Sequence, residues 1–207
     1  MEPLVNFFEA IKNTTTLELL AVSFGLISVL FARVNHILLF PSGLISTAIF
    51  SYMWVQHSVG LYAEGVLNLY YFIMTLYGWY NWSQRKKENH ELPISQCTKN
   101  EHKIALTLSL VASLIFYLLL LQTPSTVAFW DAVVAATACT GMWLLSKRKL
   151  ENWIWLNISN ALSIPLFIYK SYALSALFTL VLFIIAISGY SYWKKQIIQQ
   201  ELSKQAH

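Results

Sequence analysis

Polar residues recur at helical spacing inside two apolar stretches of this 207-residue chain. Glu64, Asn68, Tyr71 and Thr75 fall at i, i+4, i+7 and i+11, which places them on one face of a helix. Trp153, Asn157 and Asn160 fall at i, i+4 and i+7 of the second stretch, with Trp155 pointing elsewhere. An acid at the centre of a membrane helix costs up to ~2.5–3.5 kcal/mol, so such residues usually face a cavity. The chemistry on offer is recognition. An indole face attracts a cation by ~2 kcal/mol or more once desolvated, and Glu64 adds opposite charge. A small flat organic cation fits that set. A single Asn is better explained as interhelical packing, but two parallel stripes with an acid and a Trp favour a substrate site.

Other titratable residues carry weaker signals. Glu18 and Asp131 begin two further apolar stretches. Thr15-x-x-Glu18 reads as a capping box, and an acid near a helix N-terminus is favoured by the macrodipole. Asp131 lies deeper in its stretch than a cap needs, so a gate or a buried hydrogen-bonding role is expected beside the structural one. An intramembrane enzyme using Glu64 and Asp131 as acid and base is a second reading, though no nucleophile or metal set accompanies them. His36 and His57 are expected in short loops on opposite faces, at the interface. Cys97 in a polar loop and Cys139 in an apolar span have neither CxxC spacing nor a nearby His pair, so free thiols are expected and no metal site. No cofactor is expected.

These side chains need membrane helices to hold them. With 57% hydrophobic, 15% aromatic and 12% charged residues and a mean hydropathy of +0.52, the chain is an integral membrane protein by composition. About 20 apolar residues cross a bilayer core, and seven such windows can be drawn: about 17–34, 37–55, 60–82, 104–122, 127–146, 152–169 and 173–193. With the N-terminus outside, 12 of the 14 Lys and Arg lie on the cytoplasmic side and only Lys12 and Lys170 outside. That asymmetry predicts N-out, C-in. The formal charge of +4 is therefore topological, and no nucleic-acid site is read from it. Residues 1–16 lack the basic start and apolar core of a signal peptide; Phe7, Phe8 and Ile11 suit a short interfacial segment. The cytoplasmic loop 83–103 is the longest polar connection and too short for a soluble enzyme domain. Pro41 and Pro165 lie within the second and sixth spans, where they could kink a helix.

The chain also repeats itself. Gly78-Trp79-Tyr80-Asn81-Trp82 precedes Arg85-Lys86-Lys87, and Gly189-Tyr190-Ser191-Tyr192-Trp193 precedes Lys194-Lys195. Trp79, Trp82, Tyr190 and Trp193 read as an interfacial aromatic belt. Leu39, Ser42, Ser46, Phe50 and Tyr52 align with Leu156, Ser159, Ser163, Phe167 and Tyr169. The predicted fold is all-α, with three-helix repeats over 17–82 and 127–193, a linking helix over 104–122 and a cytoplasmic tail over 194–207. The single added helix restores the orientation that an odd-numbered unit would otherwise invert. This is a 3+1+3 parallel repeat, a plan used by transporters.

Leu61-Tyr62-Ala63, Tyr77-Gly78-Trp79-Tyr80-Asn81-Trp82, Phe129-Trp130-Asp131 and Lys147-Arg148-Lys149-Leu150-Glu151-Asn152-Trp153, with Asn160 and Ser163 beyond, resemble the PnuC family of bacterial nicotinamide riboside transporters. The similarity runs from about residue 17 to 195. It implies a SWEET-like fold, often a homotrimer, in the bacterial inner membrane. It implies facilitated diffusion of a vitamin that a cytosolic kinase then traps, with no ATPase. The chain departs from that family where Leu156 replaces the second Trp of a W-x-x-W motif, where Asn68 stands for Gln, and where Glu64 is added one turn earlier. The family includes thiamine transporters. Thiamine and nicotinamide riboside are both aromatic cations, so the cavity chemistry leaves both open: the broken motif leans to thiamine, the family name to nicotinamide riboside. A sensor or scaffold without transport, using the basic loop, is the remaining alternative.

Overall fold

The computed structural model describes residues 15–56, 62–84, 93–123, 125–170 and 173–205, and within these leaves out the side chains of 54–56, 62–66, 173–174 and 204–205. Seven helices result: α1 (Thr16–Arg33), α2 (Leu39–Gln56), α3 (Tyr62–Gln84), α4 (Lys99–Leu120), α5 (Ala128–Ser146), α6 (Asn152–Tyr169) and α7 (Ala173–Gln205). Each occupies one of the windows drawn from hydropathy. Two extend past them: α4 starts five residues before 104, and α7 runs 33 residues, beyond the basic cluster after Trp193. Four helices, α1, α4, α5 and the Ser175–Ser203 part of α7, are long and apolar enough over a full window to cross a membrane. The segment 1–14, with its expected interfacial helix, His57, and residues 85–92 of the basic loop lie outside the described residues.

Local signals explain the helix ends. Thr98 caps α4: its Oγ1 accepts from Glu101 N at 3.2 Å while Glu101 Oε2 accepts from Thr98 N at 2.8 Å, a reciprocal capping box. Thr15 Oγ1 accepts from Glu18 N at 3.2 Å, so Glu18 stands in the first turn of α1 as its spacing predicts. Helices α1 and α5 stop in the same way, on non-glycine residues with positive φ, Asn35 at 59° and Arg148 at 58°. Asn35 N donates to Ala32 O and His36 N to Phe31 O; Arg148 N donates to Leu145 O and Lys149 N to Leu144 O. Both are Schellman closures, satisfying carbonyls that a helix end leaves bare. Pro165 lies inside α6, but Pro41 falls in the first turn of α2, where a missing N–H costs nothing, so the expectation of a kink there does not hold.

Packing follows the repeat. Helix α1 packs on α2 and α2 on α3; α5 packs on α6 and α6 on α7. The halves join at two seams, α3 against α5 and α7 against α1, in each of which the third helix of one half meets the first of the other. The result is a ring of six helices in which, among the described residues, α2 and α6 do not touch. Helix α4 lies outside the ring along α5 and touches α3. Being packed on three sides, α5 is lined with small residues, Ala132, Ala135, Ala136, Ala138 and Gly141, which allow close backbone approach without a hydrophobic drive between helices. Tyr70 on α3 crosses that seam, donating its hydroxyl to Cys139 O at 3.0 Å.

Candidate functional site

The ring encloses a cavity of about 470 Å³ to which all six of its helices contribute. From the first half come Ser28 of α1, Phe40, Ser46 and Phe50 of α2, and Asn68, Tyr71 and Thr75 of α3. From the second come Met142 of α5, Trp153, Leu156, Ser159 and Asn160 of α6, and Phe178 of α7. The two polar stripes therefore meet across one space, with two differences from expectation. Asn157 is not among the lining residues; its Oδ1 is buried without a hydrogen-bond partner. Glu64 belongs to the described backbone of α3, but its side chain lies outside the described residues.

Most hydroxyls around the cavity are already committed to backbone carbonyls. Ser28 Oγ donates to Leu39 O at 2.7 Å, Ser46 Oγ to Ala21 O at 2.7 Å, Ser159 Oγ to Val134 O at 3.0 Å and Thr75 Oγ1 to Tyr71 O at 2.6 Å. Such bonds tie α1 to α2 and α5 to α6, and they pair Ser46 with Ser159 and Ala21 with Val134, so the sequence alignment of Ser46 with Ser163 is one helical turn out of register. Trp153 is different. Its ring is 1% exposed, it lines the cavity, and its Nε1–H has no acceptor. A buried donor left unpaired costs about 1–3 kcal/mol.

The repeated glycines set the aromatic rings. A Cβ on Gly189 would stand 2.6 Å from Trp153 Cζ2, and one on Gly78 would collide with the ring of Phe40. Each half thus uses the glycine of its ending to seat one cavity-lining aromatic. One turn later Trp82 and Trp193 are 4% and 0% exposed, so they are not the interfacial belt that their position beside basic clusters suggested. Trp82 Nε1 donates to Ser146 O of α5 at 3.2 Å, and Trp193 Nε1 donates to Ala32 O of α1 at 3.0 Å. Each clasps the first helix of the opposite half. Asn81 Nδ2 joins at Ser146 O, 3.0 Å. The rings form a continuous chain of edge-to-face and tilted contacts: Phe40 to Trp82 at 5.0 Å, Trp82 to Trp193 at 6.2 Å, Trp193 to Trp153 at 5.7 Å. This cluster closes the end of the cavity at which α1, α3 and α5 end and which α7 runs past.

Outside it, Arg148 spans the two halves. Its Nε donates to Asn35 Oδ1 at 2.8 Å, its guanidinium lies 4.5 Å from the Trp82 ring centroid, and Asn35 Nδ2 donates to Gln196 Oε1 at 3.2 Å. The positive φ of Arg148 costs about 1 kcal/mol or more that glycine would avoid. Its side chain explains the choice.

Asp131 sits in the first turn of α5, where Lys170 Nζ donates to both carboxylate oxygens, at 2.7 and 2.6 Å, and Ser125 Oγ donates to Oδ2 at 2.9 Å. Lys170 follows α6, so the pair pins the α5–α6 contact; Asp131 is not among the residues lining the cavity. His36, in the exposed α1–α2 turn, accepts Leu38 N on Nδ1 at 3.3 Å. Cys97 and Cys139 are both free thiols. Burial, then the neighbouring carboxyl of Glu151, pushes the Cys97 thiol up to about 12.

A family model described as nicotinamide mononucleotide transporter matches residues 15–195, which is nearly all of this bundle. The chain belongs to that family. It is similar to the nicotinamide riboside transporter PnuC of Escherichia coli strain K12 and to that of Shigella flexneri, each 26% identical and covering 82% of this chain and 81% of the relative. The solved structure titled as the vitamin B3 transporter PnuC superposes with a TM-score of 0.71 at 20% identity, covering 95% of this chain and 88% of that one. The seven-helix PnuC fold is thus shared. A PnuC-family chain is a multi-pass membrane transporter and not an enzyme, which removes the acid–base reading of Glu64 and Asp131.

Proposed function

We propose that this chain is a uniporter that carries nicotinamide riboside across the bacterial inner membrane by facilitated diffusion. The named relatives support that substrate, and the observation that carries the site is the meeting of Trp153 and Asn160 of one half with Asn68, Tyr71 and Thr75 of the other around a single cavity. A 470 Å³ space is within the range of small-molecule sites. In this reading the Trp153 face takes the flat cationic ring, and Asn160 with Asn68, Tyr71 and Thr75 orients the polar remainder. Asn157 acts from behind Trp153, and Glu64 supplies opposite charge. Transport alternates access by moving one three-helix half against the other, and the tryptophan clasp is the cytoplasmic gate. The N-terminus is outside and the C-terminus cytoplasmic, because among the described residues Arg33, Lys147, Arg148, Lys149, Lys194 and Lys195 gather at the clasp end. Asp131 and Glu18 act at the opposite end as structural anchors. Trapping by a cytosolic vitamin kinase supplies direction, and the chain assembles as a homotrimer.

Thiamine is the second reading, favoured by one observation. Leu156, standing where the resemblance expects a second Trp, lines the cavity and fills the space beside Gly141. That removes one aromatic wall of the riboside site. Uptake of labelled nicotinamide riboside and thiamine into proteoliposomes decides between them. Saturable equilibration of one without an ion gradient supports the uniporter. No flux of either, or accumulation above the imposed gradient without a trapping enzyme, would refute it.

A further inference from the structure

The linker between the halves does not leave the bundle after Pro93. Ser95 pairs with the α5–α6 loop, its N donating to Arg148 O at 3.3 Å and its O accepting from Leu150 N at 2.9 Å. This lays Cys97 against Glu151, whose Oε2 accepts from Cys97 N at 2.9 Å. Thr98 then caps α4, which makes Cys97 the residue before the cap and His102 the fourth residue of the helix. In many helices an apolar pair at these two positions forms a staple, because the geometry brings them together. Here the pair is a thiol and an imidazole. Glu151 arrives from the other half as a third donor, with its Oε1 4.0 Å from His102 Nε2. The sulfur, nitrogen and oxygen ligand atoms all lie within 4.8 Å of one another.

We infer that Cys97, His102 and Glu151 form a three-ligand site for a divalent transition metal, Zn²⁺ above all, that clips the inter-repeat linker to the α5–α6 loop. Tetrahedral bonds of 2.0–2.3 Å separate ligand atoms by about 3.3–3.8 Å, so the cluster needs to contract by roughly 1 Å. His102, whose side chain is 56% exposed, has the freedom to rotate inward. One thiolate, one imidazole and one carboxylate suit zinc; calcium or magnesium would need more oxygens. Water takes the fourth position, and the thiol loses its proton on ligation. The ammonium of Lys149 does not compete freely for Glu151, since it pairs with Glu101 at 2.9 Å. The sequence hid this set because Glu151 enters from a distant loop and Cys97 has no second Cys. The loop it would stiffen is the one from which Arg148 reaches Asn35 and Trp82, so occupancy bears on the clasp.

The test uses the full chain, tag-free, in detergent, stripped with chelator and titrated with Co²⁺ and then Zn²⁺. One Co²⁺ per chain with a thiolate-to-cobalt charge-transfer band, displaced by Zn²⁺, is expected. Cys97→Ser should abolish the band, and His102→Gln or Glu151→Gln should weaken binding about tenfold or more. His102 is exposed, so His102→Gln keeps the test sound if the Cys97 variant folds poorly. Absence of the charge-transfer band in the wild-type chain, or metal binding unchanged in both Cys97→Ser and His102→Gln, overturns the assignment.

Discussion

Gly189→Ala isolates the contribution of Trp153 without touching Trp153 itself. The added methyl would stand 2.6 Å from Cζ2 and 2.7 Å from Cε2 and Cη2 of the indole. Carbon atoms in ordinary contact are about 3.5–4.0 Å apart, so the ring must retreat by roughly 1 Å. It is held on another side by Trp193, 5.7 Å away and itself hydrogen-bonded to Ala32 O, which leaves the cavity as the direction of least resistance. Overpacking of this kind costs about 1–3 kcal/mol, while replacing a mid-helix glycine by alanine returns about 0.5–1 kcal/mol. The fold should therefore survive with a small drop in melting temperature. Binding should weaken about tenfold, corresponding to ~1.4 kcal/mol, because the displaced ring now occupies ligand space. Isothermal titration with nicotinamide riboside and with thiamine measures this. Unaltered affinity in Gly189→Ala for whichever vitamin binds would show that the ring does not form the site.

Further outcomes follow from the clasp and from the opposite end of the bundle. Trp82→Phe and Trp193→Phe each remove an indole hydrogen bond worth about 0.5–1.5 kcal/mol net. Combined, they should shift the closed-to-open balance of that end by about 30-fold, for ~2 kcal/mol. Alkylation of a Met142→Cys probe in the cavity, applied from the α5–α6 loop side in a chain whose own two cysteines are replaced by serine, should accelerate accordingly; an unchanged rate refutes the gate. Asp131→Asn should cost no more than about 1 kcal/mol of stability, because the pair with Lys170 is part-exposed. Uptake should stay within a few-fold of wild type, and Lys170→Met should add little to it. Loss of uptake in a folded Asp131→Asn chain would restore Asp131 as a gate.

Hydropathy sufficed to place the helices, because a bilayer core leaves few ways to satisfy a backbone other than a helix of the right length. The stripe on α3 was legible for the same reason: Asn68, Tyr71 and Thr75 are polar where lipid forbids it, and all three line the cavity. On α6 the polarity misled. The lining residues are Trp153, Leu156, Ser159 and Asn160, so the face is centred near Leu156, and Asn157, at about 100° further round, falls on its flank. An apolar residue on a cavity wall looks, by composition, like one facing lipid. The clasp was misread for a related reason. Trp beside a basic cluster is the mark of an interface, and nothing in hydropathy separates lipid from a partner helix. The available signal was the glycine one turn before each Trp, which has no role at an interface but makes room for Phe40 and Trp153 in a packed core.

The duplication itself bears on how the clasp can open. Trp82 belongs to the first half and holds α5; Trp193 belongs to the second and holds α1. These are corresponding contacts, each from a third helix to a first, located at the α3–α5 and α7–α1 seams of a closed ring. Parting one seam alone would require a half to bend, because its other edge stays fastened; within each half the first two helices are joined by Ser-to-carbonyl bonds, and the third packs on the second. Parting both together requires only that each half turn as a body. Arg148 reinforces the same choice, since its bond to Asn35 and its contact with Trp82 tie the stops of α1 and α5 to one another. A strained left-handed arginine is retained there at a cost that glycine would spare, which is understandable if the link must release with the clasp. The clasp end therefore opens in concert or not at all, and single substitutions at either seam should loosen both.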